Sequence, residues 1–162
     1  MAGPPGRAAR IVAGVLIGEV MTEPVVTAGT DAKLGQVAEL MRDRNVGSVV
    51  VLDGRRPYGV ITDRDVALAV VADGVDRHER AGDHASRPLV SGEVDMELEE
   101  AAALMVQNRI RRLPVVEDGE LRGIVTIDDL AVRAGDLQLA QRMTAEVARA
   151  ALPEFFFHQR GG

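Results

Sequence analysis

The segment GVITDRD at residues 59–65 returns as GIVTIDD at residues 123–129, 64 positions later. The same offset pairs Pro24 with Pro88, Asp31 with Asp95, Leu34 with Leu98 and Met41 with Met105, and it gives eleven identities over the 47 positions 20–66 without a gap. A self-similarity this long constrains the fold more than any single motif. Each copy reads as one supersecondary unit that completes its core against the other.

The chain has 162 residues, of which 46% are hydrophobic, enough for one compact domain of ordinary size. A net charge of −6 argues against broad affinity for nucleic acid or anionic membrane, because both attract basic surfaces. There is no cysteine, hence no disulfide framework, thiolate nucleophile or thiolate metal site, and a cytoplasmic location is expected. The apolar run at 11–17 follows Arg7 and Arg10 but lacks a cleavage site, and Glu19 closes it well short of membrane-spanning length.

Hydrophobic spacing gives each copy the order strand, helix, strand, strand, helix. In the first copy, 24–27 is a short apolar run, and Asp31 is placed to cap a helix whose apolar face carries Leu34, Val37, Leu40 and Met41. Residues 47–52 and 58–62 are β-branched runs around Asp53-Gly54, a hairpin signature. The second copy repeats this with a strand at 89–91, a helix at 97–108 and strands at 113–116 and 121–126 around Asp118-Gly119. The expected organisation is a flexible N-terminal segment at 1–17, repeats at 18–72 and 84–135, a solvated linker at 73–83, and a C-terminal helix and aromatic tail at 136–162. Helical spacing covers 136–152, and Pro153 stops it. All three phenylalanines lie at 155–157; they are expected to dock on the chain's own core or, the reading favoured here, across a homodimer, the alternative being a partner-recognition tail.

The repeated T-x-x-D carries the chemistry. A threonine ending a strand supplies a hydroxyl beside the unpaired N–H groups of a helix start, which suits a phosphate. An aspartate three residues on can accept two hydrogen bonds from neighbouring hydroxyls, as a carboxylate does when it grips a ribose. Thr62 with Asp65 is thus a candidate nucleotide clamp, and Thr126 with Asp129 its twin. The competing reading is a plain helix cap, which two copies at the ends of matching strands make less sufficient.

Taken together, GVITDRD and GIVTIDD, the Met21-Thr22 and Pro24 lead-in, and RRLPVV at 111–116 resemble the paired cystathionine-β-synthase (CBS) domains known as a Bateman module. The resemblance runs over about 18–135. It implies an α/β fold in which tandem β-α-β-β-α repeats pack sheet to sheet about a pseudo-twofold axis. It also implies two clefts that in many members bind AMP, ADP, ATP or S-adenosylmethionine. By that similarity Thr62 and Thr126 contact phosphate, Asp65 and Asp129 hold ribose hydroxyls, and Arg111 and Arg112 reach phosphates in the central cleft.

The copies are not equivalent. Gly47 and Ser48 stand opposite Arg111 and Arg112, Ala85-Ser86 stands opposite Met21-Thr22, and Ile127-Asp128 replaces Asp63-Arg64. The two clefts are therefore expected to differ in affinity. Arg64 is a further candidate phosphate ligand, whereas Asp128 would oppose an anion. For all three arginines the alternative is a solvated edge or an ion pair.

Catalysis has little support. His78, His84 and His158 lack the spacing that would place two ligands on one helix face, and no Gly-rich phosphate loop, nucleophile elbow or Ser/His/Asp arrangement is present. No metal site or required cofactor is expected. Two functional classes remain: a regulatory sensor of an adenosine nucleotide acting on an unidentified protein partner, and a ligand-independent dimeric scaffold that keeps the fold. The Thr/Asp pairs retained in both copies favour the first.

Overall fold

The computed structural model describes residues 14–87, 89–129, 141, 145 and 146. Two three-stranded sheets, one per repeat, account for the strands. The first combines β1 (Thr27–Gly29), β2 (Ser48–Asp53) and β3 (Arg56–Thr62) in that order. The second combines β4 (Gly92–Glu93), β5 (Arg112–Glu117) and β6 (Glu120–Thr126). In each, the outer strand runs parallel to the middle one and the last two form an antiparallel hairpin. Val50 faces Val60 and Pro114 faces Ile124, and the register breaks at Val51/Leu52 and Val115/Val116, so even the irregularities obey the 64-residue offset. The expected α/β fold of tandem repeats is borne out.

The helices between the strands follow their apolar spacing. Helix α1 (Ile17–Val20) precedes the first repeat, and α2 (Leu34–Arg44) buries Leu34, Val37 and Met41. Asp31 does not cap α2. The chain is still turning there, with Ala32 N–H on Gly29 O, and Lys33 is the N-cap, its N–H donating to Gln36 Oε1 at 2.9 Å. After β3 comes α3 (Asp63–Ala67), which continues as a π-helical turn at Leu68–Ala72. Next are α4 (Ala81–His84) and α5 (Leu98–Asn108), the latter burying Leu98, Ala101, Ala102 and Met105.

Two boundaries differ from expectation for physical reasons. The outer strands begin three residues later than 24 and 89, at Thr27 and Gly92; Val50 N–H on Val26 O marks where pairing with the middle strand begins in the first sheet, and Val94 N–H on Val116 O where it ends in the second. The first hairpin turns at Gly54-Arg55, not Asp53-Gly54, with a positive φ only at Gly54, whereas Asp118 and Gly119 both have positive φ as a type I′ turn needs. The proposed helix at 136–152 and the Phe155–Phe157 tail lie outside the described residues, except that Gln141, Ala145 and Glu146 are helical and exposed.

The largest departure concerns the two lead-in segments. The N-terminal segment is not detached at its end: Ile17 is 0% exposed and packs, with Val20, into the core of the second repeat beside Leu98, Met105 and Leu113. Reciprocally, Ala81 of α4 packs into the core of the first repeat beside Leu34 and Ile61, so the linker is solvated over 73–80, apart from half-buried Val75, and integrated from Ala81 onward. The hydrogen bonds repeat with the offset: Ile17 N–H to Met96 O and Ala81 N–H to Ala32 O, Gly18 N–H to Val94 O and Gly82 N–H to Thr30 O, Thr22 N–H to Ile124 O and Ser86 N–H to Val60 O. Each repeat therefore lends its first turn to the other's core. Burying an isoleucine this completely contributes about 1.5–3 kcal/mol.

This crossing explains the glycine of the repeated motif. A Cβ on Gly59 would lie 2.8 Å from Ala85 Cβ and 2.9 Å from Ser86 O, and one on Gly123 would lie 3.0 Å from Met21 Cβ, because the other repeat's lead-in passes over the strand there. Backbone cannot yield as a side-chain tip can. Gly59→Ala is expected to destabilise by about 1–3 kcal/mol in urea unfolding. An unchanged midpoint would contradict the close crossing.

Candidate functional site

Where β3 hands over to α3, the Thr62 N–H and hydroxyl both donate to Asp65 Oδ2 at 2.8 Å, and Asp65 N–H donates back to Thr62 Oγ1 at 3.2 Å. At the end of β6 the same geometry recurs. Thr126 N–H and its hydroxyl donate to Asp129 Oδ2 at 2.9 and 2.8 Å, and Asp129 N–H returns to Thr126 Oγ1 at 3.2 Å. Both pairs are thus helix-capping boxes, as the plainer reading required. The cap leaves capacity over: Oδ2 carries the intramolecular bonds in each pair, and Oδ1 makes no hydrogen bond among the described residues. A carboxylate held by its own helix start, with one oxygen outside the cap's hydrogen bonds, is pre-ordered to accept further donors.

Each threonine opens into a cleft between the repeats. The cleft at Thr62 has a volume of about 310 Å³ and that at Thr126 about 320 Å³. Every residue lining the first has its 64-offset partner lining the second: Thr62 answers to Thr126, Ser86 to Thr22, Val90 to Val26, Ile110 to Val46 and Pro114 to Val50. The walls are apolar where these valines, isoleucine and proline meet, and polar at the threonine and at the adjoining strand start. Such a cavity can hold a flat base against its apolar wall and a polar or anionic tail at its rim. Asp65 and Asp129, bonded to those threonines, do not themselves line the clefts.

The electrostatics separate the two. The Thr62 cleft is lined by Arg109, Arg111 and Arg112, whereas Asn45, Gly47 and Ser48 stand at the equivalent places in the Thr126 cleft. None of the three arginines has a side-chain hydrogen bond or ion pair among the described residues. Arg112 also lines the Thr126 cleft, and with Arg111, Thr126 and Asp128 it lines a smaller cavity of about 190 Å³ between them. Arg64 lies exposed on the first turn of α3 and lines neither cleft.

Arg109 was not singled out from the sequence. It ends α5 with φ 57°, as Asn45 ends α2 with φ 52°, each in the left-handed region that closes a helix. The signal was available, because the offset pairs Arg109 with Asn45, a residue type common at such caps. His84 Nε2 lies 3.0 Å from Glu79 Oε2, and no group of three or more His, Asp or Glu that could hold a metal occurs among the described residues.

Tandem α/β repeats with two pseudo-equivalent inter-repeat clefts define a class of paired-domain folds. The CBS domain family matches residues 17–72 and 81–134, and the chain belongs to that family as a CBS-domain pair. It is similar to the CBS domain-containing protein YhcV of Bacillus subtilis, 41% identical over 114 residues, 70% of this chain and 81% of that one. It is also 42% identical over 119 residues to the uncharacterized protein MK0525 of Methanopyrus kandleri, covering 72% of this chain and 61% of that one. Among solved structures, the CBS domain protein PAE2072 from Pyrobaculum aerophilum, complexed with AMP, matches with a TM-score of 0.68 and 26% identity over 81% of this chain and 99% of that one.

Proposed function

We propose that the chain is a non-enzymatic regulatory module that binds an adenosine nucleotide, AMP, ADP, ATP or S-adenosylmethionine, in its inter-repeat clefts. On binding, the Thr62 and Thr126 hydroxyls turn from the aspartates to donate to the phosphate or its equivalent, Asp65 and Asp129 hold ribose hydroxyls through Oδ1, and Arg111 and Arg112 supply the cationic rim, with Arg64 close enough in sequence to assist. Occupancy changes how the repeats pack against each other, and a separate protein reads that change. The module acts in the cytoplasm as a homodimer. No helix among the described residues is long and apolar enough to cross a membrane.

The observation that carries this reading is the conjunction, at one cleft, of an apolar wall, a threonine, Thr62, hydrogen-bonded to Asp65, and three arginines without ion pairs among the described residues. In a chain of net charge −6, unpaired cations gathered at one cavity suit an anionic ligand. The AMP in the related PAE2072 structure supports the ligand class. The alternative, a dimeric scaffold that binds no ligand, is favoured only by the capping bonds, which by themselves account for both Thr/Asp pairs.

Thermal unfolding against AMP, ADP, ATP, S-adenosylmethionine, GTP and NAD separates the two. A ligand at 100 times its dissociation constant stabilises by about 2.7 kcal/mol, or about 5–10 °C for a chain of this size. A shift with adenosine ligands is expected. No shift with any of them at millimolar concentration would favour the scaffold.

A further inference from the structure

Arg112 is the one described residue that lines both clefts and the small cavity joining them. Its guanidinium already reaches across the pseudo-twofold: a Cβ on Gly47, in the other repeat, would lie 3.9 Å from Arg112 Nη2. The equivalent position in the first repeat is Ser48, which cannot supply a matching cation. The two clefts thus share one arginine, Arg112, while only the Thr62 cleft has Arg109 and Arg111 in addition.

Resting on the nucleotide-binding reading above, we propose that Arg112 couples the clefts antagonistically for phosphorylated ligands. A guanidinium aligns its fork with one phosphate at a time, and charge-assisted bonds of this kind depend on that alignment. Once the Thr62 cleft holds a phosphorylated nucleotide, Arg112 is engaged there. A second phosphate arriving at Thr126 then finds Ser48 and Gly47, the neighbouring Asp128 carboxylate, and the field of the first phosphate. An adenosine ligand without a phosphate makes no demand on Arg112 and fills both clefts independently. The arrangement makes the pair a device that binds a first phosphorylated nucleotide more tightly than a second and admits an uncharged adenosine compound beside it.

Calorimetric titration tests this with ADP and with adenosine. In the unaltered protein, adenosine is expected to fill two equivalent-strength sites and ADP to bind in two events, the second weaker. Asp65→Ala weakens the Thr62 cleft, and at ADP concentrations that leave that cleft largely empty ADP at the Thr126 cleft should bind roughly tenfold tighter than the second ADP event of the unaltered protein, because Arg112 is released to it; a charge-assisted hydrogen bond supports a change of that order. The gain should vanish in Asp65→Ala/Arg112→Ala, and adenosine should show none of it. Equal affinity of the Thr126 cleft for ADP with the other cleft filled or largely empty would overturn the coupling and leave the nucleotide reading intact. Loss of Arg112 without effect on either ADP event would do the same. Absence of binding by both adenosine and ADP would instead overturn the nucleotide reading, and the coupling with it.

Discussion

Ile17→Ala is expected to lower the free energy of unfolding by about 2–5 kcal/mol, and to do so through the second repeat. The side chain is 0% exposed and sits among Leu98, Met105, Leu113 and Val125, although in sequence it precedes the first repeat. Truncation removes the transfer free energy of its methylenes and leaves a cavity that well-packed neighbours fill only in part. The distinguishing readout is location. Amide exchange in the variant should accelerate in α5 and β6 more than in α2 and β3, because opening follows the core that lost the contact. A loss below about 1 kcal/mol, or faster exchange confined to the first repeat, would contradict the reciprocal docking of the lead-in turns.

Asp65→Ala and Asp129→Ala should each weaken adenosine nucleotide binding at one cleft by about 10–100-fold, and together they should abolish it at accessible concentrations. That range corresponds to losing charge-assisted hydrogen bonds worth about 1.5–3 kcal/mol. The fold should survive. After either substitution the N–H at that position can still donate to the threonine hydroxyl, so half of each capping box remains, and the loss of the other half costs about 1 kcal/mol. The pair of effects is what discriminates: a plain cap predicts the stability loss without the binding loss. Nucleotide binding that persists in the double variant would remove the ribose assignment.

Most of the fold was legible because the duplication made two weak signals check each other. The hairpin strands, with β-branched runs around Asp53-Gly54 and Asp118-Gly119, fell within one or two residues of β2, β3, β5 and β6. The helix carrying Leu34, Val37 and Met41 was visible from its 3.6-residue spacing, but its start was not: Asp31 has the chemistry of a cap, yet the backbone is still in a turn there and Lys33 takes the position. What could not be read was which core each lead-in turn joins. Ile17 and Ala81 are simply apolar in the sequence, and only the pairing of Gly18 with Val94 and Gly82 with Thr30 assigns each to the opposite repeat. Local spacing holds no information about so distant a partner.

At the clefts, the repeated Thr/Asp pairs were legible from their chemistry, whereas Arg111 and Arg112 entered through the resemblance of RRLPVV to the family, their offset partners Gly47 and Ser48 carrying no charge. Arg109 escaped notice because its position ends a helix, where a basic residue is ordinary. That Arg112 lines both clefts could not be anticipated, since a strand pattern fixes which face a residue occupies and not how far a long side chain reaches.

The most direct measurement is a crystal structure of the protein grown with millimolar AMP. The account predicts the base against the apolar wall of the Thr62 cleft beside Val90 and Ile110, ribose hydroxyls within hydrogen-bond distance of Asp65, and the phosphate between Thr62 and Arg111 or Arg112. AMP seated elsewhere, such as the groove beside Arg55 and Arg122, or both clefts empty in crystals whose packing leaves them open, would contradict it.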